Sequence, residues 1–498
     1  MSKPNIILIM SDQHNKRAMS GAGHPYVKTP ALDRLASRGV SFRQAFCAYP
    51  LCGPSRSAFM TSQHPYENGV VTNQGEFRTD TPTFAHQFLA SGYETVISGR
   101  MHFVGIDQRH GFEKRLISEL SPTAFHATPG RLDKLLGMGD LHGTAGMSKQ
   151  GIDNSGPGRT GYLSYDEHVT QATVKFLEER KTNPSDKPYM MTVGYIMPHC
   201  PFVAESDDFY QYWNQLPTPQ TSEEGLGEQH PFHEELRRQC GVNPLPDVQT
   251  QKRVASAYYG MVNHLDRQID TLMQALEASG EADNTIIVYT SDHGEQLGAH
   301  GLWWKSTFYE GSIGVPLIIS RPNDPRAGEE TVVNVSLIDI GPTLLDLAGL
   351  DPLPGVSGQS FSCVLDGKES DWRDEAFAEL SNPLGGPKAS APGLPQRMFK
   401  QGDWKYVYYH GMRPQLFNTA DDPNEEHDLW NDPAQADRLK AMQDRALENW
   451  NPEKERQRHQ IVNQRWAVIA KATCIAPPPE PEPVWFDGPL ENHIDPIQ

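Results

Sequence analysis

The chain has 498 residues, too many for one small core, and predicts a large domain with a smaller one beside it. Its formal charge of -19, from 63 acidic and 44 basic residues, argues against nucleic acid or an anionic membrane as the main partner, so an anionic substrate needs a local cluster of cations. No apolar run approaches the ~18 residues of a membrane span, and six scattered cysteines (Cys47, Cys52, Cys200, Cys240, Cys363, Cys474) are too sparse for a disulfide scaffold. With Met1-Ser2-Lys3-Pro4-Asn5 leading straight into a strand-like run, the expectation is a cytoplasmic protein with reduced thiols; a periplasmic or secreted chain already freed of its leader is the alternative.

Asn5-Ile6-Ile7-Leu8-Ile9-Met10 is an unbroken apolar run followed by polar Ser11-Asp12-Gln13-His14, which predicts a strand buried on both faces and ending at Asp12. Thr29-Pro30 before Ala31-Leu32-Asp33-Arg34-Leu35-Ala36 predicts a helix with Thr at its cap and Pro in its first turn. The apolar-then-polar order recurs at 93–97 before Ser98-Gly99-Arg100-Met101-His102, at 189–196 before Met197-Pro198-His199, and at 285–289 before Ser291-Asp292-His293-Gly294. With helical spacing over 168–180 and 256–278, the pattern is α/β: a mostly parallel central sheet flanked by helices. Its strands deliver ionisable residues at their carboxyl ends, where such sheets bind ligands.

Gly- and Pro-rich stretches at 121–161 and 216–246 predict long excursions that wall a pocket. After about residue 371 the pattern changes to short strand-like pieces, including 404–409 and 415–417, and a helix over 432–450. The expected division is a large domain over 1–370, a smaller C-terminal α+β domain over 371–475 and a Pro-rich arm over 476–498 suited to contact a second subunit, giving a homo-oligomer.

The sharpest signal is Cys52-Gly53-Pro54-Ser55-Arg56, which matches the Cys-X-Pro-X-Arg motif of the type I, formylglycine-dependent sulfatases within the alkaline-phosphatase-like superfamily. The flanks from Pro50-Leu51 to Ser57-Ala58-Phe59-Met60-Thr61 agree, and Ser62 departs from the family's usual Gly. Read alone, such a cysteine is equally a buried structural thiol. The resemblance extends from Pro4-Asn5 to a closing segment at 416–426, and Arg100-Met101-His102-Phe103-Val104-Gly105 with His110-Gly111-Phe112-Glu113 looks closest to the choline sulfatase and phosphonate monoester hydrolase branches.

The resemblance implies that Cys52 is oxidised to formylglycine by a formylglycine-generating enzyme, and that 1–370 is the catalytic domain. It implies one divalent metal at Asp12, Gln13, Asp292 and His293, calcium as first choice. Gln13 replaces a commoner Asp and His293 a commoner Asn, and the imidazole brings in manganese as an alternative. Gly99-Arg100-Met101-His102 resembles the family's Gly-Lys-X-His, with Arg100 as a planar substitute for lysine and His102 at the anion. His199-Cys200-Pro201-Phe202 matches its His-X-Pro-Phe element and makes His199 a sulfate contact or acid to the leaving group. Lys305 corresponds to its second lysine, Asn73 to an asparagine that contacts the anion, and Arg56 to an orienting partner of the nucleophile.

The implied activity is hydrolysis of a small or saccharide sulfate ester. The same site in related enzymes cleaves phosphonate monoesters and phosphodiesters, and an unconverted Cys52 leaves a non-catalytic binder of sulfated ligands as a third reading. A quaternary ammonium substrate needs an aromatic cage, for which Trp213, Trp303, Trp304 and Trp485 are the candidates beside an ordinary core role.

Overall fold

The computed structural model describes residues 3–120, 144–219, 222–381, 394–475 and 492–497. Most of the 121–161 excursion, most of the terminal arm and Trp485 lie outside them. Among the described residues the central sheet has nine strands, in the order Glu330–Ser336, Val40–Phe46, Leu317–Ser320, Thr285–Ser291, Asn5–Ser11, Tyr189–Gly194, Glu94–Gly99 and Lys114–Arg115, with Gly314–Val315 paired beside Val40–Phe46. Leu317–Ser320 and Gly314–Val315 run antiparallel to their neighbours.

The four strands expected from the apolar runs form one parallel block, so their carboxyl ends come out on the same edge. Ser11 is level with Ser291, and Met10 and Gly99 are both level with Gly194. That register brings the loops after all four strands together. Ile6, Ile7, Leu8 and Ile9 are fully buried, as a continuous apolar run between two helical layers requires.

Helices Gly161–Thr182 and Val248–Ser279 pack on the sheet, both longer than the periodic stretches 168–180 and 256–278. Pro30–Ser37 is a helix with Pro30 in its first turn, but Thr29 does not cap it. The Thr29 hydroxyl instead accepts from Ser20 N at 3.0 Å, and the free amides of Ala31 and Leu32 donate to the Asp266 carboxylate, each at 3.0 Å. A side chain on another helix thus does the work of the cap.

A four-stranded antiparallel sheet follows from Glu375–Leu380, Gln396–Gln401, Trp404–Tyr409 and Gln415–Asn418. One face packs Phe399, Tyr406 and Leu416 against Met442 and Ala446 of helix Ala436–Leu447. That helix is shorter than the expected 432–450 because Pro433–Gln435 is a separate 3-10 turn. Ala376, Ala378, Leu380, Met398, Val407 and Tyr409 join the main hydrophobic core, so the two sheets share one apolar interior. One buried ion pair crosses the same boundary, Lys405 to Glu310 at 3.1 Å, and it is extended on either side by Lys405 with Glu425 and by Lys16 with Glu310 at 2.6 Å.

The last described residues lie on their own chain. His493–Ile494 pairs antiparallel with Gly156–Arg159, the Asn492 side-chain oxygen accepts from Gly161 N at 2.9 Å, and Ser206 donates to Asp495 at 2.8 Å. Among the described residues no helix is long and apolar enough to cross a membrane.

Several histidines are locked neutral by this packing. His110 stacks on Phe77 at 4.0 Å, and although Asp107 lies 3.6 Å from its Nδ1, burial lowers its pKa to about 4. Burial also lowers His459 to about 4 and His233 well below the usual histidine value. A histidine depressed in the folded state adds stability that is complete above its unfolded pKa of ~6.5 and is lost as pH falls toward the folded value. Denaturant midpoints are therefore expected to fall steadily from pH 7 to pH 4.5, and a flat profile would contradict the assignment.

Candidate active site

Cys52 is the first residue of helix Cys52–Thr61, which lies wholly inside the protein. Pro54 falls in the first turn, where its missing N–H leaves no intrahelical bond unmade. Gly53 N donates to Asn73 Oδ1 at 2.8 Å, and a Cβ at Gly53 would stand 3.1 Å from Asn73 Cα, so the position admits little beyond glycine. Arg56, four residues on, shares the face of Cys52. The spacing of the motif thus aims a thiol and a guanidinium together at the ends of the parallel strands.

The helix ends at Ser62, which takes a left-handed φ of 56° where the family resemblance favours glycine. A non-glycine residue there costs about 1 kcal/mol. The Gly341 backbone makes the close approach possible, since a Cβ at Gly341 would meet Ser62 Oγ at 2.5 Å.

Arg56 is fully buried and ties the site together. Its Nε donates to Asp292 Oδ2 at 2.8 Å, its Nη2 to Asp12 Oδ2 at 3.1 Å and its Nη1 to the Arg100 carbonyl at 2.8 Å. Arg100 Nε also donates to Asp12 Oδ2, at 2.8 Å. Burial and the neighbouring Cys52 oppose ionisation of Asp12, but Arg100, His199 and Arg56 hold its carboxyl well below the usual range.

The Cys52 thiol lies 3.1 Å from Lys305 Nζ, 3.3 Å from His293 Nε2 and 3.6 Å from Asp12 Oδ1. Burial works against its ionisation, yet Lys305 and His293, with His102 and His199, keep its pKa well below that of an ordinary thiol. Cys47, buried without such partners, is pushed far above it.

His293 Nδ1 is 3.0 Å from the Gly294 carbonyl, which orients the ring with Nε2 3.7 Å from Asp12 Oδ1 and 3.6 Å from Asp292 Oδ1. Ligand atoms of Asp12, Cys52, Asp292 and His293 all lie within 4.8 Å of one another, a candidate metal site of two carboxylates and an imidazole around the thiol. Gln13 stands beside it, with its side-chain oxygen on Lys305 Nζ at 2.9 Å. The donor set fits a single divalent ion.

His102 stands beside Cys52 and also contacts Asn73 and Arg100. Its Nε2 is 2.9 Å from the Asn73 carbonyl, so it carries the proton there, and its Nδ1 is left to accept from Arg100 Nη2 at 3.1 Å. The ring steadies Arg100 between Asn73 and Asp12. The peptide N–H groups of Met101 and His102 donate to Glu119 Oε2 at 2.9 and 2.6 Å, which holds His102 at a φ of 58°. His199 is buried, with Nδ1 2.6 Å from the Cys200 carbonyl; burial and Lys305 press its pKa down, while Cys200 and Asp12 raise it to about 10.

All eleven residues singled out in the sequence therefore meet around one point. Three supporting acids were missed. Glu119 and Asp166, whose carboxylate accepts from Ile196 N and Met197 N at 2.9 Å each, follow none of the apolar runs and carry no local signal. Glu295 did carry one, as a further acid in the loop of Asp292 and His293. Of the tryptophans considered for a cage, Trp303 and Trp304 are 2% and 0% exposed and Trp213 stacks on Phe209.

The sulfatase family profile matches residues 4–350, and that of the N-sulphoglucosamine sulphohydrolase C-terminal region matches 298–451. The chain is 32% identical over 469 residues to a choline-sulfatase of Rhizobium meliloti, covering 91% of this chain and 88% of that protein. It is 29% identical to an arylsulfatase of Clostridium perfringens, over 76% and 82% of the two chains. The phosphonate monoester hydrolase of Agrobacterium radiobacter superposes with a TM-score of 0.70 at 25% identity, over 89% of this chain and 95% of its own. On the family match and the 32% relative together, this protein belongs to the sulfatase family.

Proposed function

We propose that the protein hydrolyses a small sulfate ester, with a nucleophile made from Cys52 by a formylglycine-generating enzyme and one divalent ion held by Asp12, Gln13, Asp292 and His293. Calcium is the first choice for that ion and manganese the second. The carrying observation is the place of Cys52: at the start of a buried helix, 3.1 Å from Lys305 and within the cluster of Asp12, Asp292 and His293. When present, the hydrated aldehyde supplies an oxygen nucleophile with its own route for expelling sulfate, and the ion supplies a Lewis acid for the developing charge.

The protein's own side chains supply the rest. Lys305 and Asn73 lie beside Cys52 and its helix start, where they bind sulfate oxygens. Arg100, kept in line by His102 and Asp12, adds positive charge to the same pocket. His199, raised to about 10, is protonated at neutral pH and donates its proton to the departing alcohol oxygen. Arg56 offsets the charges of Asp12 and Asp292 and orients both.

The 32% relative named a choline-sulfatase supports a small sulfate ester, and the likeness to the phosphonate monoester hydrolase supports phosphonate cleavage as the second reading. Five described cysteines, all free, suit the reducing cytoplasm proposed as its compartment. The test is a side-by-side assay of an aryl sulfate and an aryl phosphonate monoester, with peptide mass spectrometry of residue 52. Faster sulfate release and an aldehyde at position 52 are expected. A much higher kcat/KM on the phosphonate would give the second reading precedence, and thiol alone with neither activity would leave a sulfated-ligand binder.

A further inference from the structure

The Gln13 side chain is an amide whose two ends differ only in chemistry, so something must decide which end faces the metal cluster. Its backbone is already committed. Gln13 holds a left-handed φ of 69°, its N–H donates to Asp292 Oδ1 at 3.1 Å, and its carbonyl accepts from the Tyr258 hydroxyl at 2.7 Å. The side-chain oxygen accepts from Lys305 Nζ at 2.9 Å and the side-chain nitrogen donates to Glu295 Oε2 at 2.6 Å. A half-turn of the amide would set NH2 against the ammonium and C=O against the carboxylate, two repulsions in place of two bonds.

Glu295 is fully buried, and its other oxygen is equally occupied. Oε1 accepts from Leu297 N at 2.8 Å and from Trp304 N at 2.6 Å. Trp304 and Ser306, on either side of Lys305, have left-handed φ values of 62° and 68°, so this stretch depends on fixed contacts to keep its shape. One carboxylate grips both the amide at position 13 and the peptide that carries Lys305 toward Cys52.

We propose that Glu295 is a positioning residue that locks the Gln13 amide with its oxygen toward the metal cluster and holds the Lys305 backbone in place. The inference rests on the metal assignment made above. It also explains the amide at position 13: a carboxylate there would face Glu295 at 2.6 Å, oxygen against oxygen, and one of the two acids would have to take up a proton. Gln13 and Glu295 are then a matched pair, the acid standing one residue behind the cluster.

The pair is tested by titrating Mn2+ into chelator-treated full-length protein and measuring Kd. Glu295→Gln, which can donate as well as accept, is expected to weaken Mn2+ binding about 10- to 100-fold. Gln13→Glu, with two carboxylates facing each other, is expected to weaken it by a similar factor. The exchange Gln13→Glu/Glu295→Gln restores one donor and one acceptor at unchanged lengths, and its Kd is expected to return to within a few-fold of the parent. An unaltered Kd in Glu295→Gln, or losses that add in the double variant, would overturn the pairing. If Glu295→Gln fails to fold, the double variant against Gln13→Glu alone still reads the coupling. Parent protein that takes up no Mn2+ would remove the metal assignment itself, an outcome separate from parent binding with Glu295→Gln unchanged.

Discussion

Cys52→Ala is expected to abolish turnover, a loss on the order of 10^4-fold or more, while the protein stays folded. The thiol is 1% exposed and its neighbours are charged side chains rather than packed apolar groups, so removing sulfur costs little packing. Cys52→Ser separates two roles. A serine oxygen beside Lys305 can accept a sulfuryl group, but its carbon has no second hydroxyl from which to rebuild a carbonyl and expel sulfate. The serine variant is therefore expected to stall after at most one turnover, with sulfate remaining on residue 52. Sulfate release, melting temperature and the mass of the peptide carrying residue 52 check all three statements. Sustained multiple turnover in Cys52→Ala would place the nucleophile elsewhere.

The parallel block of the sheet and the convergence of its loops were legible because the physical signals are local. A buried strand has to be apolar on both faces, and a polar break marks its carboxyl end, so Asp12, Arg100, His199 and Asp292 could be placed at one edge without any knowledge of pairing. The Cys52 motif was legible for a related reason, since its cysteine and arginine sit four residues apart on one helix.

What stayed hidden depends on side-chain direction. His102 has the same sequence whatever its ring touches, and only the three-dimensional contacts place it beside Cys52 and between Asn73 and Arg100. Thr29 looks like a helix cap until Asp266, more than two hundred residues away, is found bonding the same helix start. The antiparallel Leu317–Ser320 is equally silent, because short buried strands read alike in either direction. The common core of the two sheets follows from faces of strands after residue 375 whose partners lie far upstream.

Arg56→Ala is expected to have the largest effect on stability of any single change at this site. The guanidinium is fully buried and bridges Asp12 and Asp292, both themselves 0% exposed, while also satisfying the Arg100 carbonyl. Deleting it leaves two buried carboxylates facing a cavity, with only Arg100 and His199 left against Asp12, and breaking a buried pair in this way costs about 3–5 kcal/mol. Activity is expected to fall with it, because those carboxylates belong to the candidate metal site and will either take up a proton or move apart. Arg56→Lys keeps the charge but cannot span both acids and the carbonyl with one planar group, so it is expected to recover only part of the stability and little of the turnover. Denaturant unfolding of the three proteins at neutral pH, with sulfate release measured in parallel, decides the matter. Alanine at 56 with an unchanged midpoint would mean that Arg56 is not what holds the two carboxylates in place, and Arg100 alone would have to be credited with it.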